Sequence, residues 1–367
     1  IDISGSMDKP NRLPLLQSAF KLLTENLREI DTITIVTYGG GIGIALQPTS
    51  GNNKKKINDA IDSLTASGDT PGADAIRIAY DYAKRSFIHH GNNRVIMATD
   101  GDFNVGKTTE KDLEDMISAY KQTGIYLTCL GVGMGNYKDS KIQKLADKGN
   151  GNHAYIDGMS EAKKVLVNEF GGTFFTIAKD VKLQIEFNPS KVQGYRLIGY
   201  ENRMLAKEDF NDDTKDSGEI GAGHSVTALY ELVPANLHPG QVPPQAVDPL
   251  KYQPQVLASS PAVSTKPEAA TEVLTVKLRY KEPEGTTSKL IEVALNDDAR
   301  SIGQASAEFK FSAAVAGFGM LLRESTQAAG LTWERVRQLA REGKGSDLLG
   351  YRGEFLQLIE KAAGGKP

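Results

Sequence analysis

The 367-residue sequence has one cysteine, Cys129, and one tryptophan. A lone cysteine excludes an internal disulfide framework and leaves the redox compartment open. Its setting in the apolar run IYLTCLGVG reads as a small buried thiol. No stretch reaches the roughly 18 uncharged apolar residues that a membrane span needs, and no signal-peptide pattern opens the chain. Basic residues do not dominate either: 43 Lys and Arg face 46 Asp and Glu, and the longest basic run is Lys54 to Lys56. The electrostatic footprint of nucleic-acid binding is therefore missing, and that partner is set aside. What remains, at 40% hydrophobic and 24% charged residues, is the composition of a globular protein, and the length carries a prior of two or three domains. Ile1 is followed at once by Asp2 and a Ser/Gly turn, the pattern of a strand met two residues before its end. The expectation is a chain that opens inside a domain, with any upstream targeting signal outside it.

Residues 10–30 place Leu16, Phe20, Leu23 and Leu27 on one helix face, and the β-branched run 32–38 reads as a strand. An edge strand ending at Pro48 follows, then helices over 54–64 and 72–87 and a buried strand at 94–100. The alternation continues with a helix at 109–122, a strand at 125–132, a helix at 139–148, a strand at 153–156 and a helix at 160–170. Strands separated by helices of this length predict right-handed crossovers and a mostly parallel sheet covered on both faces. After about 175 the period changes to two: Val181, Leu183, Ile185 and Phe187 alternate with polar residues, and further strands fit 194–200, 224–233, 272–280 and 288–296. The predicted class is α/β, a doubly wound parallel sheet in 1–172 followed by an antiparallel β domain in 173–367. Eight prolines in 234–270 mark an extended excursion within that second domain. The tail at 304–364 is helical, with Phe309, Ala313, Ala316 and Met320 on one stripe, Thr332 capping a second helix and a last helix over 346–362.

In an open parallel sheet, ligands bind beyond the carboxyl ends of the strands. Three segments end there with oxygen-bearing residues: Asp2, Ser4 and Ser6 in DISGS, Thr70 in SGDTPG, and Asp100 in TDG. Spacing of two lets Asp2, Ser4 and Ser6 point toward one centre, with Gly5 expected to relieve the crowding. Two carboxylates and three hydroxyls, without Cys or His, suit a hard divalent cation, Mg²⁺ first and Ca²⁺ or Mn²⁺ as alternatives.

These residues, in this order, resemble a von Willebrand factor type A domain over roughly 1–172, with a Rossmann-like fold. The resemblance implies that Asp2, Ser4, Ser6, Thr70 and Asp100 form a metal-ion-dependent adhesion site. It also implies hydroxyls on the metal, carboxylates acting through water, and an open position filled by an Asp or Glu of a partner protein. The segments TYGGGIG, GNNRVIMATDGDFNVG, LGVGMGNYKDSKIQKLADKGNGNHAYID and TIAKDVKLQIEFNPSKVQGYRLIGYENR, followed by EDFNDDTKDSGEIGAGHSVTALYE, are similar to the bacterial YfbK-like proteins. That group joins an A domain to a characteristic C-terminal region, and its members often carry a lipoprotein-type export signal. The resemblance therefore implies a cell-envelope location, with membrane association only through an anchor upstream of this chain.

Competing readings are weaker. Gly101 to Thr108 spells G-x-x-x-x-G-K-T, a phosphate-loop pattern between a strand and a helix. The acidic first turn EKDLED is better capped at Thr108 or Thr109 than opened on a phosphate, and a nucleotide would leave Asp2, Ser4, Ser6 and Thr70 without a role. His89 and His90 read as a solvated pair, while His153 and His224 fall in strand contexts. Asp209, Asn211 and Asp213 suggest a calcium loop but lack its glycine at the sixth place and its glutamate at the twelfth. The apolar tail segment AAVAGFGMLL is expected to pack as core rather than to meet a membrane surface or partner helix. No G-x-S-x-G setting or Cys-His pair marks a catalytic residue. The expected function is cation-dependent protein binding, with a metal-dependent hydrolase or a scaffold with a structural metal as alternatives.

Overall fold

The structure, a computed structural model, describes residues 1–68, 72–89, 91–101, 109–133, 139–169, 176–200, 204–215, 217–235, 271–283, 285–298 and 300–364. It divides into two compact units. The first comprises Ile1–Val181, Ser217–His224 and Glu282–Gly285, the second Lys182–Asp216, Ser225–Lys281 and Thr286–Pro367.

In the first unit, β1 (Thr32–Tyr38) pairs antiparallel with β2 (Ile42–Ser50), which forms the edge. On the other side, β3 (Asn93–Thr99), β4 (Ile125–Val132) and β5 (His153–Ile156) are parallel, in register from Asn93 opposite Ile125 to Thr99 opposite Gly131. Residues 1–3 link the two sets. The amide of Ile3 donates to Tyr38 O at 2.8 Å, Tyr38 N to Ile1 O at 3.2 Å, and Asp2 N to Ala98 O at 2.9 Å. Asp2 thus lies between β1 and β3, at the end of the sheet where the parallel strands finish.

Alternating residues of each strand feed two apolar layers, as a sheet covered on both faces requires. On one face, Ile35, Ala98, Leu130 and Val132 pack with α1 (Leu13–Asn26), α2 (Lys54–Asp62) and the residues of α6 (Met159–Lys163) and its π-helical extension Lys164–Asn168. On the other, Val36, Val95, Met97, Leu127 and Cys129 meet α3 (Gly72–Arg85), α4 (Glu110–Lys121) and α5 (Asp139–Lys148). The α1 stripe of Leu16, Phe20 and Leu23 is buried as its spacing predicts.

Still within the first unit, β6 (Thr176–Phe187) begins antiparallel to β8 (Gly218–Gly221), a short strand that the sequence pattern does not reveal. In the second unit β10 (Glu272–Lys281) lies beside β6 and pairs antiparallel with β11 (Lys289–Asn296). The strand expected at 194–200 is β7 (Val192–Ile198), and it pairs with β9 (Leu229–Pro234) as a separate two-stranded ribbon. His224 therefore lies after β8 in a loop, not in a strand. The proline-rich residues 236–270 lie outside the described residues.

The tail forms α7 (Ala307–Leu322), α8 (Trp333–Glu342) and α9 (Tyr351–Gly364) around Ala314, Val336, Leu339, Ala340 and Ile359. The expected α7 stripe is displaced: Ala314 and Gly317 are its buried line, while Phe309 is largely exposed. A Cβ on Gly317 would meet Val336 at 3.0 Å, so close helix approach selects the small residues and overrides hydrophobic periodicity. The last helix starts at Tyr351 rather than 346 because the Asp347 carboxylate accepts from Arg352 N and Gly353 N, satisfying its first amides. Thr332 caps α8 as predicted, accepting from Arg335 N. Among the described residues no helix is long and apolar enough to cross a membrane.

Cys129 is fully buried, and that burial raises its thiol pKa above the ordinary value. Both effects suppress the thiolate. The native protein is expected to resist iodoacetamide at pH 8 and to react fully in denaturing urea, as mass spectrometry will show; rapid native labelling contradicts this core.

Candidate metal centre at the strand ends

Asp2 is 1% exposed, yet both of its carboxylate oxygens are satisfied by nearby donors. Ser4 N donates to Oδ1 at 2.9 Å, closing the turn that follows the strand segment. The Thr99 hydroxyl, at the end of β3, donates to Oδ2 at 2.8 Å and itself accepts from Gly101 N at 3.2 Å. Tyr38, also buried at a strand end, has its phenol pKa pushed well up by burial first and by the Asp2 charge second, so it remains neutral.

Beyond Asp2 the chain forms a 3₁₀ turn, Gly5–Met7. This turn brings the hydroxyls of Ser4 and Ser6 to 3.2 Å of one another, with Ser6 exposed. The turn is tied down by Gly5 N to Gly68 O at 3.0 Å and Ser67 N to Ile3 O at 2.7 Å. Gly5 is not the glycine that geometry demands, since a Cβ there would meet only Gly68 O, at 3.9 Å. The demand falls on Gly39, with φ +132° and a virtual Cβ 2.4 Å from Ser4 N, and on Gly68, with φ +64° and a virtual Cβ 2.3 Å from Gly40 Cα.

Asp100 follows β3 and is 4% exposed. Its Oδ2 accepts from Arg12 Nη1 at 2.5 Å, and the same nitrogen donates to Ser6 O at 2.7 Å. Arg12 is a component that sequence reasoning missed, because an arginine just ahead of an amphipathic helix reads as a surface residue. Gly133, after β4, makes room for it: with φ +78°, it would place a Cβ 2.5 Å from Arg12 Nε.

The structure therefore gathers Asp2, Ser4, Ser6 and Asp100 at one end of the sheet, while Thr70 lies outside the described residues. The donor set fits a hard cation. Cis ligands about 2.1 Å from an octahedral Mg²⁺ lie about 3.0 Å apart, close to the Ser4–Ser6 separation of 3.2 Å. Among the described residues no three His, Cys, Asp or Glu side chains form a group that could hold a metal. A cation held here would need the hydroxyl oxygens as well as Asp2 and Asp100.

The rival sites resolve differently. Residues 102–108 of the phosphate-loop pattern, and His90, lie outside the described residues. The helix after that pattern starts at Glu110 and is capped by Thr109, whose hydroxyl accepts from Asp112 N while the Asp112 carboxylate accepts from Thr109 N. His89 is exposed after α3, and His153 is half-buried in β5. In the calcium-like segment, Arg279 donates to Asn211 Oδ1, Ser288 N to Asp213 Oδ2, and Lys215 pairs with Asp209. The Lys182 ammonium donates to the carbonyls of Asp209 and Asp212, and Lys281 to that of Asp213. The oxygens of this segment thus accept from Arg279, Ser288 and two lysines of the protein.

Residues 1–168 match the von Willebrand factor type A domain family, and residues 172–364 match the family described as "Uncharacterized protein YfbK, C-terminal". The chain is 45% identical over 364 residues to "Uncharacterized protein YfbK" of Escherichia coli (strain K12), covering 99% of this chain and 61% of that protein. It thus spans about three-fifths of the relative's length. Among solved structures, the von Willebrand factor type A protein from Catenulispora acidiphila shares 16% identity, covering 98% of this chain and 80% of its own, with a TM-score of 0.50. BatB from Bacteroides thetaiotaomicron shares 19% identity over 46% of this chain and 93% of its own, with a TM-score of 0.39.

Replacing Thr99 by Val removes a donor from a buried carboxylate at nearly constant volume. Thr99→Val is expected to lower unfolding free energy by about 1–3 kcal/mol in urea titrations, and an unchanged midpoint would show that Asp2 does not rely on this hydroxyl.

Proposed function

From the premise that the chain belongs to the von Willebrand factor type A domain proteins with a YfbK-type C-terminal region, we propose that it is a divalent-cation-dependent protein-binding module. The Ser4 and Ser6 hydroxyls, with Thr70 assigned from sequence, would hold the cation, Mg²⁺ first, while Asp2 and Asp100 orient water beneath it. When bound, the cation supplies a Lewis-acidic position that a partner's Asp or Glu completes. The observation that carries the reading is the pair of neutral hydroxyls, 3.2 Å apart, at the same end of the sheet as two buried carboxylates. Neutral oxygen ligands leave a cation's charge uncompensated, and an anionic partner then binds the exposed side.

We place the protein in the bacterial cell envelope, on its resemblance to exported A-domain proteins. Fractionation of cells expressing the full-length protein tests this, and recovery in the cytosol alone would refute it.

Binding to the folded state alone raises stability by about 2.7 kcal/mol at a ligand concentration of 100 Kd. MgCl₂ is therefore expected to raise the wild-type melting temperature by several degrees and to leave Ser4→Ala/Ser6→Ala unmoved. Equal shifts in both proteins would remove these hydroxyls from the site. A partner recovered by the wild type in Mg²⁺ is expected to be lost with EDTA or with Asp2→Ala; retention in both cases refutes cation-dependent capture.

A further inference from the structure

Arg12 is housed as carefully as the residues around it. It is 6% exposed, it spans the Ser6 carbonyl and the Asp100 carboxylate with one nitrogen, and its flank is open only because position 133 carries no side chain. The carbonyl of Gly133 is in turn fixed by the Tyr155 hydroxyl, which donates to it at 2.6 Å. A guanidinium locked by contacts at the ends of β3 and β4 and by the Ser4–Ser6 turn does more than fill space.

We propose that Arg12 is a built-in counter-charge that sets the strength of the cation site. It holds Oδ2 of Asp100 and leaves the Asp2–Asp100–Arg12 group with one net negative charge. This rests on reading the Ser4–Ser6 turn as a cation site. Two buried carboxylates without a counter-charge would attract a dication strongly and cancel its charge. With Arg12 in place, attraction is restrained and positive charge remains for the carboxylate of a partner. Arg12 is thus a positioning residue: it acts on the cation through Asp100 and through the field, and its guanidinium matches a carboxylate as an ammonium does not.

A purely structural role predicts the opposite sign. If Arg12 only held Asp100 in place, losing it would loosen the site and weaken cation binding. The test is calorimetric titration of the 367-residue chain with MnCl₂ as the probe. Arg12→Gln is expected to bind Mn²⁺ at least about tenfold more tightly than wild type, because a buried positive charge near the ion is gone. Arg12→Lys, which keeps the charge, is expected to stay within about threefold of wild type. Gly133→Ala, which crowds the guanidinium but keeps its charge, is expected to stay, like Arg12→Lys, within about threefold of wild type. Unchanged or weaker binding by a folded Arg12→Gln overturns the proposal while leaving the cation site standing. Should Arg12→Gln not fold, Arg12→Met, which also lacks the charge and keeps the length of the side chain, takes its place, and unchanged or weaker binding by it overturns the proposal. Failure of wild type and every variant to bind Mn²⁺ overturns the cation site itself, and the role of Arg12 with it.

Discussion

The Asp2 carboxylate is gripped on both oxygens by its own protein, through the Ser4 amide on one side and the Thr99 hydroxyl on the other. A nearly fully buried anion cannot persist without such donors, so their placement constrains everything nearby. The Ser4 contact forces the chain to turn at the sheet's end, and that turn carries the two serine hydroxyls toward solvent. The Thr99 contact ties residues 1–3 to β3, whose next residue is Asp100. Positive-φ glycines at 39 and 68 clear the backbone that this turn presses against.

Electrostatics divides the first unit's strand ends into two tiers. One is buried and holds the charges of Asp2, Asp100 and Arg12; the other is the pair of neutral serine hydroxyls, Ser6 exposed and Ser4 half-buried. The neutral Tyr38 phenol adds to the buried tier without adding charge.

Much of this architecture was visible in the residue pattern, and the exceptions have physical causes. The parallel strands follow from short apolar runs and α1 through α5 from a period of 3.6, because burial on both sheet faces leaves little freedom. That Asp2, Ser4, Ser6 and Asp100 lie at one end of the sheet was legible because each sits at or just past the carboxyl end of a strand segment. Arg12 and Thr99 were not found, since their roles arise from pairings across 88 and 97 positions of chain. Gly5 was credited with a steric role that belongs to Gly39 and Gly68, which approach the turn from other segments. In the tail, α7 is apolar around most of its circumference, so only its contact with Val336 tells which line is buried. β8 is four residues long and too short to show a period.

The segment around Asp209 to Asp213 has a quieter consequence. Its carbonyls are held by the ammonium groups of Lys182 and Lys281, which are 3% and 8% exposed. A lysine tethered by the chain cannot be stripped by a chelator or outcompeted by dilution. The backbone of this loop is thus fastened to β6 and β10 by groups that belong to the chain itself.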